Sequence, residues 1–322
     1  MSPRRRTGLP ARSLAALSLP VLLALALLAS GCGLGAGKAP GGVQLLVTRD
    51  FGASEIRSWS APQARGEETV MSLLTRNAKV ATRYSGGFVQ SVDGVAGGHE
   101  GSQPVDWFYY VNGVEAAKGA AETKVHPGDH IWWDRHDWSE TDDVPAVVGS
   151  FPQPFLNGLE GKRLPVRVEC AQAGGEACET VTKRLREQGV PAGVSALGSG
   201  AGAKQTLRIV VAPWGELTNE PALRELKEGP QASGVYARFA AGGRTLALLD
   251  ARGRSTQALG AAAGLIAATR SGEEAPVWTV TGTDAGGVNE AARAFDAASL
   301  RNRFAVAVAP GGATLALPRP GA

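Results

Sequence analysis

The chain of 322 residues lacks the short motifs that identify common enzymes. It contains no G-x-S-x-G nucleophile turn, no P-loop, no G-x-G-x-x-G turn after a strand and no H-E-x-x-H zinc motif. Histidine is also scarce, with four in the sequence and none after His136. The C-terminal half therefore has no histidine to act as a general base, and these absences favour a protein that is not an enzyme.

The sequence has no excess of one charge outside its N-terminus. It contains 33 basic and 30 acidic side chains, and its first 31 residues hold four arginines and no acid. The remainder carries 29 basic side chains against 30 acidic ones. A protein that binds nucleic acid through a basic surface needs a positive excess, so this balance argues against a nucleic-acid partner.

The N-terminus has the composition of an export signal. Its arginines precede the apolar run Leu14–Ala29, so the basic end would stay in the cytoplasm while the apolar run enters the bilayer. The sequence from Leu28 to Cys32, LASGC, resembles the bacterial lipobox, in which the cysteine is diacylated and becomes the new N-terminus. We therefore expect a cleaved signal peptide (1–31), a lipid on Cys32, a flexible tether (32–42) and an extracytoplasmic protein anchored to the cell membrane. The alternative is a retained membrane helix, because the run is close to the lower spanning limit of about 17 residues.

Only three cysteines occur in the sequence. With Cys32 assigned to the lipid, Cys170 and Cys178 remain as an even pair in an oxidising compartment, which predicts a disulfide bond between them. Two free thiols or a metal pair are the alternatives, and no histidine or further cysteine lies near them in the sequence.

The aromatic residues divide the chain unevenly, since 11 of the 19 Phe, Tyr and Trp residues lie between residues 43 and 139. The acidic and Pro/Gly-containing stretch 140–162 that follows is typical of a connection. We therefore predict a first domain (43–139), a linker (140–162) and a second domain (163–322).

The first domain shows two strand patterns, a helix pattern and then further strand patterns. The predicted strands are 43–48, 55–59, 88–92, 107–111 and 130–134, and the predicted helix is 67–77. A helix that crosses one face of a small mixed sheet is the β-grasp arrangement.

Three motifs in this domain carry a resemblance to a known family. They are YSGGFVQSVDG (84–94), WFYYVNGV (107–114) and PGDHIWW (127–133). As an ordered set they resemble the bacterial family similar to the transcobalamin C-terminal domain, over about residues 43–138. The resemblance implies a β-grasp fold that binds a ligand without catalysis. It also implies cobalamin as a possible ligand, with no resident cofactor.

Aromatic side chains occur on both faces of the predicted strand 107–111, because successive residues of a strand point to opposite sides. One interpretation is that all of them belong to the core and the turns. The other is an aromatic ledge for a flat ligand, and its candidate residues are Tyr110, Asn112, Trp133 and Trp138.

A metal site is not predicted. His130 and His136 would be about 20 Å apart along one strand, which is too far for one ion. Only Asp134 and His136 could ligate together, and polar residues at a strand end explain them more simply.

The second domain alternates strand and helix patterns, which predicts a mixed α/β sheet and an α+β class for the whole protein. The strand patterns are 164–169, 207–212, 234–239, 245–250, 277–281, 304–308 and 313–317, and the helix patterns are 178–188, 220–228, 259–270 and 288–300. Asp284 stands before the last helix, where it is either an N-cap or part of an anion-binding turn. We favour the cap.

These features together predict a membrane-anchored binding lipoprotein. It would capture a small molecule, with a cobalamin-like vitamin as one candidate, and pass it to a membrane transporter. Two alternatives stay open: a structural or interaction module that binds a protein or cell-wall partner of the envelope, and an envelope enzyme with paired carboxylates in the second domain. A concave aromatic pocket would favour the first function, and a flat patch would favour the interaction module.

Overall fold

The structure is a computed structural model that describes residues 42–59, 64, 66–84, 87–200, 202–217 and 219–321, with residues 1 and 3. The predicted signal peptide (1–31), the lipid site Cys32 and all but the end of the tether lie outside these residues. Within the described ranges, no helix reaches the length and apolar character that crossing a membrane requires.

The first half of the structure is a mixed sheet with one helix on its face. Its elements are β1 (Gln44–Arg49), β2 (Ser54–Trp59), α1 (Val70–Asn77), β3 (Val80–Arg83), β4 (Phe88–Val92), β5 (Val95–Ala96), β6 (Gly98–Glu100), β7 (Gln103–Val111), β8 (Val114–Glu115) and β9 (His130–Asp137). The main sheet has the order β2-β1-β9-β7-β6, with β8 beside β7, and β3-β4-β5 form a small separate sheet. Only the β1–β9 pair of the main sheet is parallel among the described strands.

Helix α1 begins three residues later than predicted, because Thr69 forms a capping box with Ser72. The Thr69 side chain accepts from the Ser72 amide at 3.2 Å, and the Ser72 hydroxyl accepts from the Thr69 amide at 2.9 Å. These bonds satisfy amides that the first helical turn leaves without partners. The helix then buries Val70, Leu73 and Leu74 against the sheet.

The second half consists of a seven-stranded sheet, a smaller three-stranded sheet and several helices. Its elements are β10 (Val166–Cys170), α2 (Glu176–Glu187), β11 (Gly193–Ala196), β12 (Leu207–Pro213), α3 (Arg224–Glu228), α4 (Pro230–Ser233), β13 (Ala237–Phe239), β14 (Leu246–Leu249), β15 (Ser255–Leu259), β16 (Gly264–Thr269), β17 (Val277–Gly282), α5 (Ala285–Arg293), α6 (Ala297–Leu300), β18 (Ala305–Val308) and β19 (Thr314–Leu317). The order is β11-β10-β12-β17-β16-β18-β19, and β13-β14-β15 form a separate antiparallel sheet. Helices α2 and α5 pack on one face of the large sheet.

The presence of both helices and strands confirms the α+β class, while the β-grasp assignment stays a prediction. The disulfide prediction is confirmed, since Cys170 at the end of β10 bonds to Cys178 in α2. The capping prediction is confirmed as well. The Asp284 carboxylate accepts from the Gly287 amide at 2.9 Å and also from the Ala262 amide at 2.9 Å.

The predicted helix 259–270 is wrong, because these residues form the end of β15 and all of β16. Alanine favours helices intrinsically, yet β16 lies between β17 and β18 and is buried along its whole length. A side chain at Gly264 would come within 2.6 Å of the Gly287 carbonyl oxygen in α5. Small residues in this segment therefore permit close strand–helix packing. The predicted helix 288–300 is likewise two helices, because Asp296 caps α6.

The second face of the first sheet is covered by the second half of the chain. Tyr110 and Trp132 share this face, and the ring of Phe304 contacts both, with centroid distances of 5.5 Å and 5.3 Å. Phe51 extends the cluster to Tyr236 at 5.3 Å. We call these five residues the shared aromatic core.

The predicted linker 140–162 runs along this junction and is largely buried. Val147 donates its amide to the Gly113 carbonyl at 2.8 Å, and Val148 donates to the Phe304 carbonyl at 3.1 Å. The segment is thus hydrogen-bonded to both halves, and all described residues from 42 onward belong to one compact unit.

Phe304→Ala should destabilise the protein by about 3–5 kcal/mol, because it opens a cavity in a core to which both halves contribute. Urea unfolding, followed by tryptophan fluorescence and by circular dichroism, should show one earlier transition that is the same with both probes.

Phe88→Ala is the matched control, since Phe88 is 37% exposed and belongs to the small β3-β4-β5 sheet. The Phe88 variant should lose much less free energy of unfolding than the Phe304 variant. Two separate transitions in the Phe304 variant, one for each half, would contradict the shared core.

Candidate functional site

The four candidate ligand-binding residues do not form one surface. Tyr110 is fully buried in the shared aromatic core, while Trp133 lies on the opposite face under α1, with its ring 4.9 Å from that of Tyr109. Asn112 is buried too, and only Trp138 is exposed, by 37%. Of the two interpretations, the structure fits the one in which these residues belong to the core and the turns, because the second half covers the face with Tyr110 and α1 covers the face with Trp133.

Asn112 joins two of the sequence motifs instead of facing solvent. Its amide nitrogen donates to Asp129 Oδ1 at 2.8 Å and to the Gly158 carbonyl at 2.9 Å, and its oxygen accepts from the His130 amide at 2.9 Å. Its φ of 55° is the left-handed conformation that asparagine tolerates in turns. The motifs WFYYVNGV and PGDHIWW are thus held together through this side chain.

Asp134 and His136 are also structural. Asp134 is fully buried and accepts from the amides of Phe51 at 3.1 Å and Gly52 at 2.8 Å. Thr48 donates its hydroxyl to the same carboxylate, and His136 Nδ1 lies 2.9 Å from it. Among the described residues, no group of three or more His, Cys, Asp or Glu side chains could hold a metal ion.

A carboxyl pair, which the sequence analysis did not single out, lies where β8 meets the segment 141–144. Glu115 accepts from the Val144 amide at 2.9 Å. Burial raises the pKa of Glu115 to about 9, and the neighbouring carboxyl group of Asp143 contributes to this rise through a hydrogen bond. Glu115 is therefore protonated at neutral pH.

Glu115→Gln should change the pH dependence of stability. A raised pKa in the folded state gives a contribution that is complete below about pH 4.5 and is lost as the pH rises through about 9. Glutamine keeps a donor and does not ionise, so the melting temperature of the wild type should fall relative to that of the variant between pH 5 and pH 9. Thermal melts across this range measure it.

Glu122→Gln serves as the control, since Glu122 is exposed. It should follow the wild type at every pH. Parallel curves for the wild type and Glu115→Gln would contradict the protonated state of Glu115.

A cavity of about 260 Å³ opens in the second half of the protein. Its lining consists of two aromatic residues, two cationic residues, a leucine and a turn: Trp214, Phe239, Lys227, Arg238, Leu226 and 240–242. The rings of Trp214 and Phe239 are stacked, with a centroid distance of 4.4 Å and an interplanar angle of 12°. This is an open, partly apolar depression in the surface.

One lining residue of the cavity lies close to a reversal of strand order in the sheet. From β10 the chain moves to β11 on one side, and β12 then lies on the other side of β10. In open α/β sheets, ligands bind outside the carboxyl ends of strands at such a reversal of order. Trp214 directly follows the last residue of β12.

A buried ion triad supports the wall of the cavity. Arg208 donates to both carboxylate oxygens of Glu169 at 2.8 Å and to Glu220 at 3.0 Å. All three side chains are buried, and the carboxylates raise the pKa of the Arg208 guanidinium. Lys227 in turn donates to the Glu220 carbonyl oxygen at 3.3 Å, so the triad fixes the segment on which Lys227 rests.

A glycine fixes the position of Trp214. Gly243 has a φ of 71°, and a side chain there would come within 2.8 Å of Trp214 Cδ1. The neighbouring Gly242 has a φ of 83° but has open space around it. Sequence reasoning missed this site, although it predicted the preceding strand and the hairpin. The available signal was a tryptophan directly after the carboxyl end of a strand.

The comparisons with known proteins cover only part of the chain. Residues 67–137 match the family model described as "Domain of unknown function (DUF4430)", which is less than half of the chain. A solved structure described as a "putative metal binding protein" from Ruminococcus gnavus is similar to 30% of this chain and 96% of its own, at 16% sequence identity and a TM-score of 0.24. No curated protein matches the chain. Neither match names a transcobalamin-like family, so that resemblance stays a prediction.

Proposed function

We propose that the protein is a lipid-anchored, extracytoplasmic binding protein that captures a small molecule in the cavity lined by Trp214 and Phe239. The observation that carries this proposal is the stacked aromatic pair in a concave site beside the reversal of strand order. The export signal and the lipobox-like sequence around Cys32 support the location.

The size of the cavity limits the ligand. Its volume of about 260 Å³ is below the range of about 300–1,000 Å³ that holds drug-sized molecules. A corrinoid is larger than such molecules, so the cavity cannot enclose cobalamin. We therefore propose a smaller ligand, which the anchored protein would deliver to a membrane transporter.

The lining of the cavity favours binding over catalysis. Its described side chains include two cations and no carboxylate, histidine or thiol. The one carboxyl pair described above, Glu115 with Asp143, lies outside this lining. We propose that the protein holds its ligand without transforming it.

A second candidate function is an interaction module of the cell envelope. Tyr84 is 83% exposed, and its ring lies 6.5 Å from that of Phe88, which is also exposed. Both lie at the β3–β4 hairpin and form a small apolar surface suited to a protein contact.

Trp214→Ala should weaken the binding of any small molecule that occupies the cavity by about tenfold, since it removes one of the two rings. The measurement is ligand-observed NMR with a panel of amino acids, organic acids, nucleobases and vitamin precursors, followed by titration calorimetry of each binder. Gly243→Ala should also weaken binding because it displaces Trp214, whereas Gly311→Ala, at a glycine of positive φ with open space around it and outside the cavity lining, should not.

Tyr84→Ala separates the two candidate functions. Binders whose affinity is unchanged by Trp214→Ala, together with a protein partner lost in Tyr84→Ala, would favour the interaction module and contradict the cavity as the binding site.

A further inference from the structure

Strand β11 is the open edge of the large sheet. It pairs with β10 on one side and with no described strand on the other. The opposite edge, β19, leads to Arg319, whose amide donates to the Leu249 carbonyl of the smaller sheet at 2.7 Å. Edge strands present unpaired backbone N–H and C=O groups, which proteins often protect with charged residues or proline. Strand β11 is short but contains neither, and its Val194 is 45% exposed.

Helix α2 connects β10 to β11 and covers one face of this edge. Its Glu176 side chain faces α5, since it accepts from two side chains of that helix at 2.8 Å. A right-handed crossover places β11 on the other side of α2. Thr182 then points toward the β11 edge, and Glu179 and Arg186 lie on the outer part of the same side, three residues before it and four residues after it.

The charged residues of α2 leave one acid and one cation available on this side. Four of its six charged side chains have ionic partners within the chain: Glu176, Lys183, Arg184 and Glu187. The other two, Glu179 and Arg186, are exposed and have none among the described residues. No charged residue occurs between 188 and 203. Arg167 of β10 lies on the opposite face of the sheet, because it alternates with Val168, which packs beneath α2.

Thr182 of α2 is level with Val194 of β11. The disulfide bond places Cys178 beside Cys170, with 6.0 Å between their Cα atoms. Two residues back along β10 and four residues forward along α2 then cover nearly the same distance, about 6–7 Å, in the same direction. These steps end at Val168 and at Thr182, and Val168 is paired with Val194. A two-fold axis that passes through the sheet edge at Val194 therefore also passes beside Thr182.

We propose that two copies of this chain associate through β11 about this two-fold axis. The two β11 strands pair antiparallel, so the two large sheets become one, and the two α2 helices lie antiparallel on the same face. Because Glu179 and Arg186 flank Thr182, Glu179 of each copy faces Arg186 of the other. None of these residues lines the cavity, so the inference does not rest on the proposed function.

The strand edge and the charges have different roles in this contact. Pairing of β11 satisfies backbone groups and covers Val194. Ion pairs between exposed side chains add little affinity, but like charges that face each other disfavour a wrong arrangement. With the helices parallel, Glu179 would face Glu179 and Arg186 would face Arg186. The charges therefore favour the antiparallel arrangement.

Light scattering of the full chain in detergent, analysed for the protein mass alone, measures the oligomeric state. The fraction of dimer in the wild type should rise with protein concentration. Val194→Lys should weaken the dimer by about tenfold or more, since it places a charge on the edge strand. Ser58→Lys is the matched control, because Ser58 is exposed on the edge strand β2 of the first sheet, and it should change nothing.

A charge swap tests which residues face each other. Glu179→Arg and Arg186→Glu should each weaken the dimer by about tenfold, because each change places like charges opposite each other at two symmetric positions. The double variant should recover the affinity of the wild type, since it only reverses the pair. Glu122→Arg, at an exposed acid of the first half, should have no effect.

Cysteine cross-linking tests the position of the axis. Residue 194 lies opposite its own copy in the proposed dimer, so Val194→Cys should form a disulfide-linked dimer when the full chain is oxidised. The wild type and Ser58→Cys are the controls and should not do so. Circular dichroism and melting temperature establish that all variants are folded.

A chain that stays monomeric at every concentration would overturn the proposal. A dimer that Val194→Lys leaves unchanged would also overturn it, because the contact would then lie elsewhere. A double charge variant that is as weak as the two single variants would overturn the antiparallel arrangement of α2 and the proposed axis. The effect of Trp214→Ala on ligand binding bears on the proposed function alone.

Discussion

The contact of Phe304 with Tyr110 and Trp132 determines which faces of the first sheet are covered. It places the second half of the chain on the open face of the first sheet. That sheet is then covered on both faces, by α1 on one side and by the second half on the other. Most aromatic residues of the first half therefore serve packing, while Tyr84, Phe88 and Trp138 are exposed.

The second half offers a concave surface because of its topology. Strand β10 has β11 on one side and β12 on the other. The segment after β12 forms short helices and a separate three-stranded sheet. A concave space results between Trp214, α3 and the hairpin that follows β13. The buried Glu169–Arg208–Glu220 triad is joined to α3 by the hydrogen bond from Lys227 to the Glu220 carbonyl oxygen.

Local patterns were sufficient to predict most strands, the Cys170–Cys178 disulfide and the Asp284 cap, because each depends on residues close in sequence or on simple counting. The helix assigned to 259–270 failed where burial between two strands outweighed the intrinsic preference of alanine. The choice between core and ledge for Tyr110 could not be made from the sequence for a related reason, since alternation shows that a strand has two faces but not what covers them. The cavity could not be predicted either, because Trp214 and Phe239 meet only through tertiary packing.

The position of β1 has a mechanical consequence. It lies inside the first sheet, antiparallel to β2 and parallel to β9, and it is the strand that follows the predicted N-terminal tether. Tension on that tether would pull β1 along its own axis, so its hydrogen bonds to β2 and β9 would be sheared together and not opened one at a time. A protein held at the membrane through this strand would resist force with the whole ladder at once.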